Sequence, residues 1–271
     1  MNGAPLQVSE AGLTVAVLGL GEAGSLIARD LARAGATVRG YDPRVTATGA
    51  VITTADAAHA CRDAAIVLSV NSAADALDAL TQALPGCAAG TIWADLNTAA
   101  PARKREVADM AAGRVRVVDV AIMAPVPPRG LGTPMTASGP AAAELAATLR
   151  RYGATMEIID GPLGAAATHK LLRSVFYKGL AAAVVEALSA ARAAGLEEWL
   201  RGNIIEELTR ADGSTVDRLV EGSRRHAVRR EHEMAAAAQL LDELGVPARI
   251  AVASRDWLHD LAAAAAQPPP P

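Results

Sequence analysis

The chain has 271 residues, 51% of them hydrophobic, which is enough for one large buried core or two smaller ones. Its 26 basic and 29 acidic residues nearly balance, so the charge gives no reason to expect a nucleic acid or an anionic membrane as partner. Two cysteines, Cys61 and Cys87, are too few for a disulfide framework, and neither they nor the histidines have metal-ligand spacing. The sequence lacks a membrane-spanning apolar stretch and a signal-peptide pattern. These features predict a soluble cytoplasmic protein without a metal.

The segment from Thr14 to Asp42 carries the most specific motif of the chain. An apolar run leads into three glycines with the spacing G-x-G-x-x-G, and an amphipathic helical pattern follows. Glycine at these positions permits a tight turn, a close approach of the backbone to a pyrophosphate, and close packing of the helix on the strand. The strand before the motif, the helix after it and an acidic residue about twenty positions later make it specific. We expect a nicotinamide or flavin dinucleotide to contact Gly19, Leu20, Gly21, Glu22, Ala23 and Gly24.

Asp42 ends the second predicted strand, Thr37–Tyr41. A carboxylate at this place accepts hydrogen bonds from the adenosine ribose and repels a 2′-phosphate, which favours NAD over NADP. Arg44 follows two residues later, and a guanidinium can bind a phosphate in a bidentate manner. Arg44 is also explained as a solvated loop cation, so NAD is favoured while NADP stays open.

Short apolar runs alternate with alanine-rich helical patterns from residue 13 to residue 160. Strands that alternate with helices predict a Rossmann-type, doubly wound α/β domain with a mostly parallel sheet. The predicted strands are Thr14–Leu18, Thr37–Tyr41, Ala65–Val70, Thr91–Asp95, Val115–Val120, Thr133–Ser138 and Thr155–Ile159.

Residues 161–265 show only helical periodicity and predict an all-helical second domain. A long helix over Ala165–Ala194 is apolar on most sides, which indicates burial in a core or against a second subunit. Residues 1–12 and 266–271 are expected to be flexible tails. The further predicted helices are Glu197–Ala211, Ser214–Gly222, Arg230–Leu244 and Ala248–Ala264.

Ligands of open α/β sheets bind at the carboxyl ends of the strands. Small polar residues follow the predicted strands there, and they either contact a ligand or cap helices. We expect cofactor contacts from Val70, Asn71 and Asn97, and substrate contacts from Asn97 and Thr98.

Lys170 lies at the start of the long helix and is one of only three lysines. At about 100° per residue, Ser174, Tyr177 and Lys178 share its helix face. A lysine in a partly dry cleft suits proton exchange with a hydroxyl or carbonyl group. The alternative is a lysine that extends its ammonium group into solvent, as most helical lysines do.

Several of these segments together resemble the β-hydroxyacid dehydrogenase family, which includes 6-phosphogluconate and 3-hydroxyisobutyrate dehydrogenases. They are Gly19–Gly24, Asp95–Pro101, Val118–Ile122 and Gly164–Lys170. The resemblance implies that Lys170 is the catalytic lysine, which relays a proton while hydride passes to the nicotinamide. It also implies that the segment from Ile122 through Met123 and Ala124 to Pro127 is the substrate-binding loop.

Two departures from the family pattern concern the substrate. Relatives have a serine-glycine-glycine turn whose N–H groups bind a carboxylate, but this chain has Met123-Ala124-Pro125 followed by Pro127 and Pro128. Proline removes N–H donors and stiffens the loop. The asparagine that relatives carry four residues after the lysine is Ser174 here. These two departures leave both a hydroxy acid and a related polar alcohol open as the substrate.

The C-terminal part resembles a branch of the family with a helical domain of undefined function. It contains a basic cluster at residues 224–230 that is either a solvated helix face or a binding site. In 6-phosphogluconate dehydrogenases, an arginine and a histidine of this domain reach the active site of the partner subunit. The resemblance therefore implies a homodimer in which His226 and Arg229 recognise an anion.

The sequence thus predicts an NAD(P)-dependent oxidoreductase that interconverts a hydroxy acid, or a related polar alcohol, with its carbonyl compound. Lys170 is the expected general acid and base. Imine reductases are similar in fold but replace this lysine with aspartate or tyrosine, so C=N reduction is one alternative. A catalytically inactive dinucleotide-binding protein is another, because prolines fill the expected substrate loop.

Overall fold

The computed structural model describes residues 12–265 of the chain. These residues form two compact units, the first ending at Arg173 and the second beginning at Ser174. The tails predicted at 1–12 and 266–271 lie outside the described residues, except for Gly12. The boundary of independently folding domains between residues 160 and 161 stays a prediction. In the described part of the chain, no helix combines the length and the hydropathy that a membrane span needs.

The first unit contains an eight-stranded sheet with the order β3-β2-β1-β4-β5-β6-β7-β8. Neighbouring strands from β3 to β6 are parallel, β6 and β7 are antiparallel, and β7 and β8 are parallel again. The predicted mostly parallel, doubly wound sheet is therefore confirmed. The strands are β1 (Thr14–Leu18), β2 (Thr37–Tyr41), β3 (Ile52–Thr53), β4 (Ile66–Ser69), β5 (Ile92–Asp95), β6 (Arg116–Ile122), β7 (Met135–Ser138) and β8 (Met156–Ile158).

Helices cover both faces of this sheet, because successive side chains of a strand point to opposite faces and both faces are apolar. One core packs α1 and α5 against the sheet, with Ile27 and Leu145 fully buried. The other packs α2, α3 and α4 around the buried indole of Trp93. The helices are α1 (Glu22–Arg33), α2 (Ala57–Cys61), α3 (Ala76–Ala83), α4 (Pro101–Ala111) and α5 (Ala142–Arg150).

Two short elements of the first unit were missed by the sequence analysis. β3 has only two residues, Ile52 and Thr53, and both are exposed, so it carries no burial pattern. α2 has five residues, which is too short for helical periodicity. Its local signal is Asp56, whose carboxylate accepts the N–H of His59 at 2.6 Å and caps the helix.

A row of buried polar side chains crosses four strands of the sheet. The strand register pairs Ser69 with Asp95, Asp95 with Asp119, and Asp119 with Ser138. All four residues have 1% or less of their surface exposed. Paired residues of neighbouring strands point to the same face of a sheet, so these side chains form one continuous row. We call Ser69, Asp95, Asp119 and Ser138 the polar row.

The helical region predicted for the C-terminal part is confirmed. Its buried core is small and centres on Ala190, Leu241 and Ala251. Glu186 accepts the N–H groups of Ile250 and Ala251 at 2.8 Å each, which caps α10. The helices are α6 (Ala165–Ala193), which begins in the first unit, α7 (Glu197–Arg210), α8 (Gly213–Arg225), α9 (Ala227–Glu243) and α10 (Arg249–Ala265).

The basic cluster at residues 224–230 lies at the end of one helix and the start of the next, with a single residue between them. The predicted helices end at Gly222 and begin again at Arg230, but α8 extends to Arg225 and α9 begins at Ala227. His226 alone leaves the helical conformation, with φ −117° and ψ 26°, and it separates the two helices.

Candidate functional site

A cavity of about 380 Å³ lies at the carboxyl ends of β1, β2 and β4. The chain leaves β1 toward β2, while β4 lies on the other side of β1, so the cavity sits where the strand order reverses. Doubly wound sheets bind ligands at this kind of crevice, and the volume lies in the range of small-molecule sites. Predicted cofactor residues contribute to its lining, which includes Gly19, Gly21, Asp42, Arg44, Val70 and Asn71.

The three motif glycines do different things in this cavity. Gly19 has a φ of +92°, and a Cβ atom there would lie 2.4 Å from the carbonyl oxygen of Val70. A Cβ at Gly24 would lie 1.9 Å from the carbonyl oxygen of Gly19. A Cβ at Gly21 would meet no atom within 4 Å. Gly19 is thus required by the turn and Gly24 by the packing of α1, whereas the missing side chain at Gly21 leaves room for a ligand in the cavity.

The start of α1 is suited to bind an anion. Gly21 is its N-cap residue, and no described side chain caps it. The first N–H groups of a helix have no intrahelical partner and carry a partial positive charge. Leu20 and Ala23 flank this position, and Glu22 is the first helical residue with an exposed side chain. The backbone of this turn, rather than its side chains, therefore faces the cavity.

Asp42 is held in place by backbone N–H groups. Its Oδ2 atom accepts the N–H of Leu20 at 2.8 Å, and its Oδ1 atom accepts those of Arg44 and Val45 at 2.8 and 3.1 Å. Burial raises the pKa of the Asp42 carboxyl, but the N–H groups of Arg44, Leu20 and Val45 and the Arg44 charge outweigh burial and lower the pKa below its usual range. The carboxylate stays ionised near neutral pH, and its Oδ2 atom keeps one lone pair for a further donor.

Lys170 and Thr98, two of the predicted site residues, are in contact at the carboxyl end of β5. The ammonium group of Lys170 donates a hydrogen bond to the Thr98 hydroxyl at 2.7 Å. Lys170 is partly buried and Thr98 is exposed, so the pair borders on solvent. Both residues, together with Asn97, Ala121 and Ala167, line a cleft that is too narrow to hold a water molecule.

Asn97 is buried beside this cleft and bridges two strand ends. Its side-chain N–H₂ donates to Ser69 Oγ at 3.1 Å and to Asp95 Oδ1 at 2.7 Å. Asn71 donates to the same Ser69 oxygen at 2.9 Å. The Oδ1 atom of Asn97 is buried and has no described hydrogen-bond partner. These contacts fix the loops that follow β4 and β5 relative to each other.

Lys104, a fully buried lysine on α4, was not among the predicted site residues. Its Nζ atom lies 3.2 Å from Asp95 Oδ2 and 3.3 Å from Asp119 Oδ1. It also donates hydrogen bonds to the carbonyl oxygens of Asp95 at 2.9 Å and Asn97 at 2.7 Å. Lys104 therefore connects two carboxylates of the polar row to the backbone that precedes Thr98.

The sequence around Lys104 gives little sign of this role, because Arg103 and Arg105 beside it are typical of a solvated helix face. The usable signal lies in the strands. Asp95 and Asp119 both stand within or at the end of apolar strand patterns, and buried carboxylates need a cation or hydrogen-bond donors.

The polar row also holds the beginning of α6. Asp119 Oδ2 accepts the N–H of Ala167 at 2.9 Å, and Ser138 Oγ accepts that of Ala166 at 3.0 Å. Carboxylate and hydroxyl oxygens are the groups that best satisfy the free N–H groups of a helix N-terminus. Lys170 lies about one turn beyond these N–H groups, so the row sets where its side chain begins.

The expected substrate loop follows β6. Ile122 is the last residue of β6 and pairs with Met135 of β7. The N–H of Met123 donates to the carbonyl oxygen of Pro134 at 2.8 Å, so this donor is used within the protein. Ala124 is partly buried. Three of the next four residues are Pro125, Pro127 and Pro128, which lack N–H groups.

The remaining predicted residues belong to the second unit. Ser174, Tyr177 and Lys178 lie on the continuation of α6, and the Tyr177 ring contacts Phe176 edge to face. His226 is exposed between α8 and α9, and Arg229 forms an exposed ion pair of 3.5 Å with Glu233. Among residues 12–265, no three or more His, Cys, Asp and Glu side chains group in a way that could hold a metal ion.

Comparison with known proteins identifies the family. Residues 14–158, more than half of the chain, match the family described as the NAD binding domain of 6-phosphogluconate dehydrogenase. The chain belongs to this family. Residues 191–261 match a domain of unknown function, DUF1932. No protein of curated function matches the chain.

Solved structures extend the comparison over almost the whole length. A conserved hypothetical protein from Sinorhizobium meliloti is 30% identical, with a TM-score of 0.60 over 95% of this chain and 91% of that one. A conserved protein of unknown function, described as structurally similar to 3-hydroxyacid dehydrogenases, is 28% identical, with a TM-score of 0.58 over 93% and 98%. An imine reductase from Streptomyces aurantiacus shares the fold at 20% identity, with a TM-score of 0.76 over 94% and 96%.

The first unit is thus an NAD(P)-binding domain of an oxidoreductase-like family, and its residues fit the cofactor. The space beside Gly21, the uncapped start of α1 and the fixed carboxylate of Asp42 match the needs of a pyrophosphate and an adenosine ribose.

Substitution of the motif glycines separates binding from packing. Because the Cβ of Gly21→Ala projects into open space, this variant keeps the melting temperature of the wild type but binds NADH about tenfold more weakly or worse. The Cβ of Gly24→Ala overlaps the Gly19 carbonyl oxygen, so this variant loses about 1–3 kcal/mol of unfolding free energy.

Calorimetry and NADH fluorescence titration measure the two effects. Gly132→Ala is the matched control, because its Cβ also meets no atom within 4 Å and it lies outside the cavity lining. Equal NADH affinity in Gly21→Ala and Gly132→Ala would contradict the assignment of the cavity.

Proposed function

We propose that the protein is an NAD(P)-dependent oxidoreductase that interconverts a hydroxy acid, or a related polar alcohol, with its carbonyl compound. The observation that carries the proposal is the hydrogen bond of 2.7 Å between Lys170 and Thr98. It puts an amine at the carboxyl end of β5, beside the strand ends that border the cavity. When bound, the nicotinamide supplies or accepts the hydride.

Lys170 has the chemistry for the proton that accompanies the hydride. As a neutral amine it takes the proton from a substrate hydroxyl, and as an ammonium group it returns the proton to the oxygen of a carbonyl. Thr98 accepts a hydrogen bond from Lys170 and so orients the amine. Asn97 lies beside them and adds a buried amide oxygen. Ser174, Tyr177 and Lys178 of α6 are proposed as further substrate contacts.

The expected substrate loop offers few free N–H groups for a carboxylate, so the proposed substrate is polar but need not carry one. Ile122, Met123 and Ala124 are proposed to border the substrate, but the Met123 N–H is already used and the prolines add no donors. We therefore propose that the side chains of His226 and Arg229, contributed by a partner subunit, recognise an anion. Arg229 has to leave its exposed ion pair with Glu233 to do so.

NAD is the proposed cofactor in preference to NADP. The Asp42 carboxylate is ionised and has one lone pair left for a ribose hydroxyl, and it repels a 2′-phosphate. Arg44 is exposed and is the group that favours NADP. A cytoplasmic location stays a prediction.

Imine reduction is the second candidate, because an imine reductase shares the fold with a TM-score of 0.76. Lys170 stands against it, since the resemblance gives aspartate or tyrosine to imine reductases at this place. Oxidation of NADH or NADPH by a cyclic imine, without reduction of NAD⁺ by hydroxy acids, would establish imine reduction instead.

Removal of the amine tests the proposed chemistry. In Lys170→Ala, turnover falls about 10²-fold or more because general acid–base catalysis is lost, while NADH affinity stays within about twofold. Absorbance at the reduced-cofactor band measures turnover with 3-hydroxyisobutyrate and 6-phosphogluconate as first substrates. His169→Gln, at an exposed neighbouring position, is the control and keeps its turnover. Near-normal turnover in Lys170→Ala would remove Lys170 from the mechanism.

We also propose a homodimer formed through the helical unit. Neither α7 nor α8 has a buried residue, and large apolar side chains are exposed there and on α6, among them Phe176 at 59% and Trp199 at 67%. Extended exposed apolar surface of this kind marks an interface.

Light scattering measures the assembly directly. The expected result at micromolar concentration is twice the chain mass of 27.7 kDa. The charged variant Trp199→Glu is expected to weaken the dimer, and Arg201→Glu on the same helix is the exposed control. A monomeric wild-type protein would contradict both the dimer and a site shared between subunits.

A further inference from the structure

Lys104 is a buried cation that the proposed chemistry does not use. Its side chain is 1% exposed, and its four polar neighbours are two carboxylates and two backbone carbonyl oxygens. Lys104 donates hydrogen bonds to the two carbonyl oxygens, and its ammonium group lies within ion-pair distance of the two carboxylates. Because it is buried among these four partners, its effect passes through the groups that it holds.

These groups lead to Lys170 along two routes. One route is the backbone: Lys104 holds the carbonyl oxygen of Asn97, and the next residue, Thr98, accepts the hydrogen bond from Lys170. The other route is the helix: Lys104 pairs with Asp119, whose second oxygen accepts the N–H of Ala167, about one turn before Lys170. The two ends of the Lys170–Thr98 hydrogen bond are thus fixed through the same ammonium group.

Stability alone does not explain such an arrangement. Transfer of a lysine and two carboxylates from water into a protein core costs so much that well-packed apolar side chains often serve stability equally well. A buried ionic group does specify geometry, because each of its hydrogen bonds has a restricted distance and angle. Lys104 is one cation between two carboxylates, those of Asp95 and Asp119. The partial positive charge at the start of α6 offsets the remaining negative charge.

We propose that Lys104 is a positioning residue that fixes the separation between the Thr98 hydroxyl and the first turn of α6, and so holds the amine of Lys170 at the carboxyl end of β5. The expected effect on turnover rests on the acid–base role proposed for Lys170. The expected effect on the position of the Lys170 side chain does not. Lys104 touches neither substrate nor cofactor.

Whether the Lys170 side chain is held in place can be measured in the wild-type protein by NMR, with lysine labelled with ¹³C at the ε position. The chain has three lysines, so three signals are expected, and substitution of each lysine by arginine assigns them. In a fixed side chain the two ε protons are inequivalent, whereas rapid rotation averages them. We expect inequivalent ε protons for Lys104 and Lys170, and averaged ones for the exposed Lys178. Averaged ε protons for Lys170 would overturn the proposal without any variant of Lys104.

The double variant Lys104→Met with Asp95→Asn tests the cause. It keeps one net negative charge in the set and keeps an oxygen at residue 95 for the N–H of Asn97. It removes the ammonium group that holds the carbonyl oxygens of residues 95 and 97. Lys104→Met alone leaves the carboxylates of Asp95 and Asp119 without their cation, and comparison with the double variant measures the effect of this extra negative charge on folding.

The expected result is a folded double variant that binds NADH within about threefold of the wild type. The ε protons of Lys170 become averaged, kcat falls by about tenfold or more, and KM stays within about threefold, since positioning acts on the proton transfer. Thr91→Val is the matched control. Thr91 precedes β5, is also buried and donates to the carbonyl oxygen of Ala64, and it is not among the residues that line the cleft.

Unchanged ε protons of Lys170 in the folded double variant would overturn the proposal. Failure of the proposed function gives a different result. If Lys170→Ala keeps its turnover, Lys170 is not the catalyst, yet the NMR signals still show whether Lys104 positions it.

Discussion

The buried ion pairs of Lys104 with Asp95 and Asp119 are the constraint on which the candidate site depends. The two aspartates belong to the polar row, in which four neighbouring strands each contribute one buried polar side chain in register. Removal of one partner from a buried ion pair costs about 3–5 kcal/mol, because the other charge stays in the core without compensation. Substitution of Lys104 alone therefore leaves two buried carboxylates without their cation. The ion pairs and the polar row tie the end of β5, the middle of β6 and the start of α6 into one arrangement.

This arrangement gives the first unit two separate parts with different requirements. The cofactor cavity at β1, β2 and β4 is shaped by backbone: glycines without a Cβ, the free N–H groups of α1 and a carboxylate held by N–H groups. The cleft at β5 and β6 is shaped by side chains, since Lys170 reaches Thr98 only because the loop and the helix are held near each other. Asn97 and Ser69 join the two parts through hydrogen bonds between the ends of β4 and β5.

The parts that the sequence predicted well depend on local signals. Periodicity and glycine spacing locate β1 and β2 to the residue and predict the helix α1 between them. The parts that it missed depend on contacts distant in sequence. Lys104 lies among charged neighbours and pairs with an aspartate 15 positions later through the strand register. The antiparallel direction of β7 is likewise set by pairing with β6, which no pattern within Met135–Ser138 encodes.

A crystal structure of the protein with NADH bound tests the central claim most directly, namely that the fold presents the amine of Lys170 to the reacting end of the cofactor. The account predicts the pyrophosphate at Gly21 and the start of α1, and the nicotinamide ring next to Thr98, with the Nζ atom of Lys170 facing the ring across a space that fits a small substrate. An amine that points into bulk solvent in the closed, NADH-bound protein, or a nicotinamide ring distant from the end of β5, would contradict it.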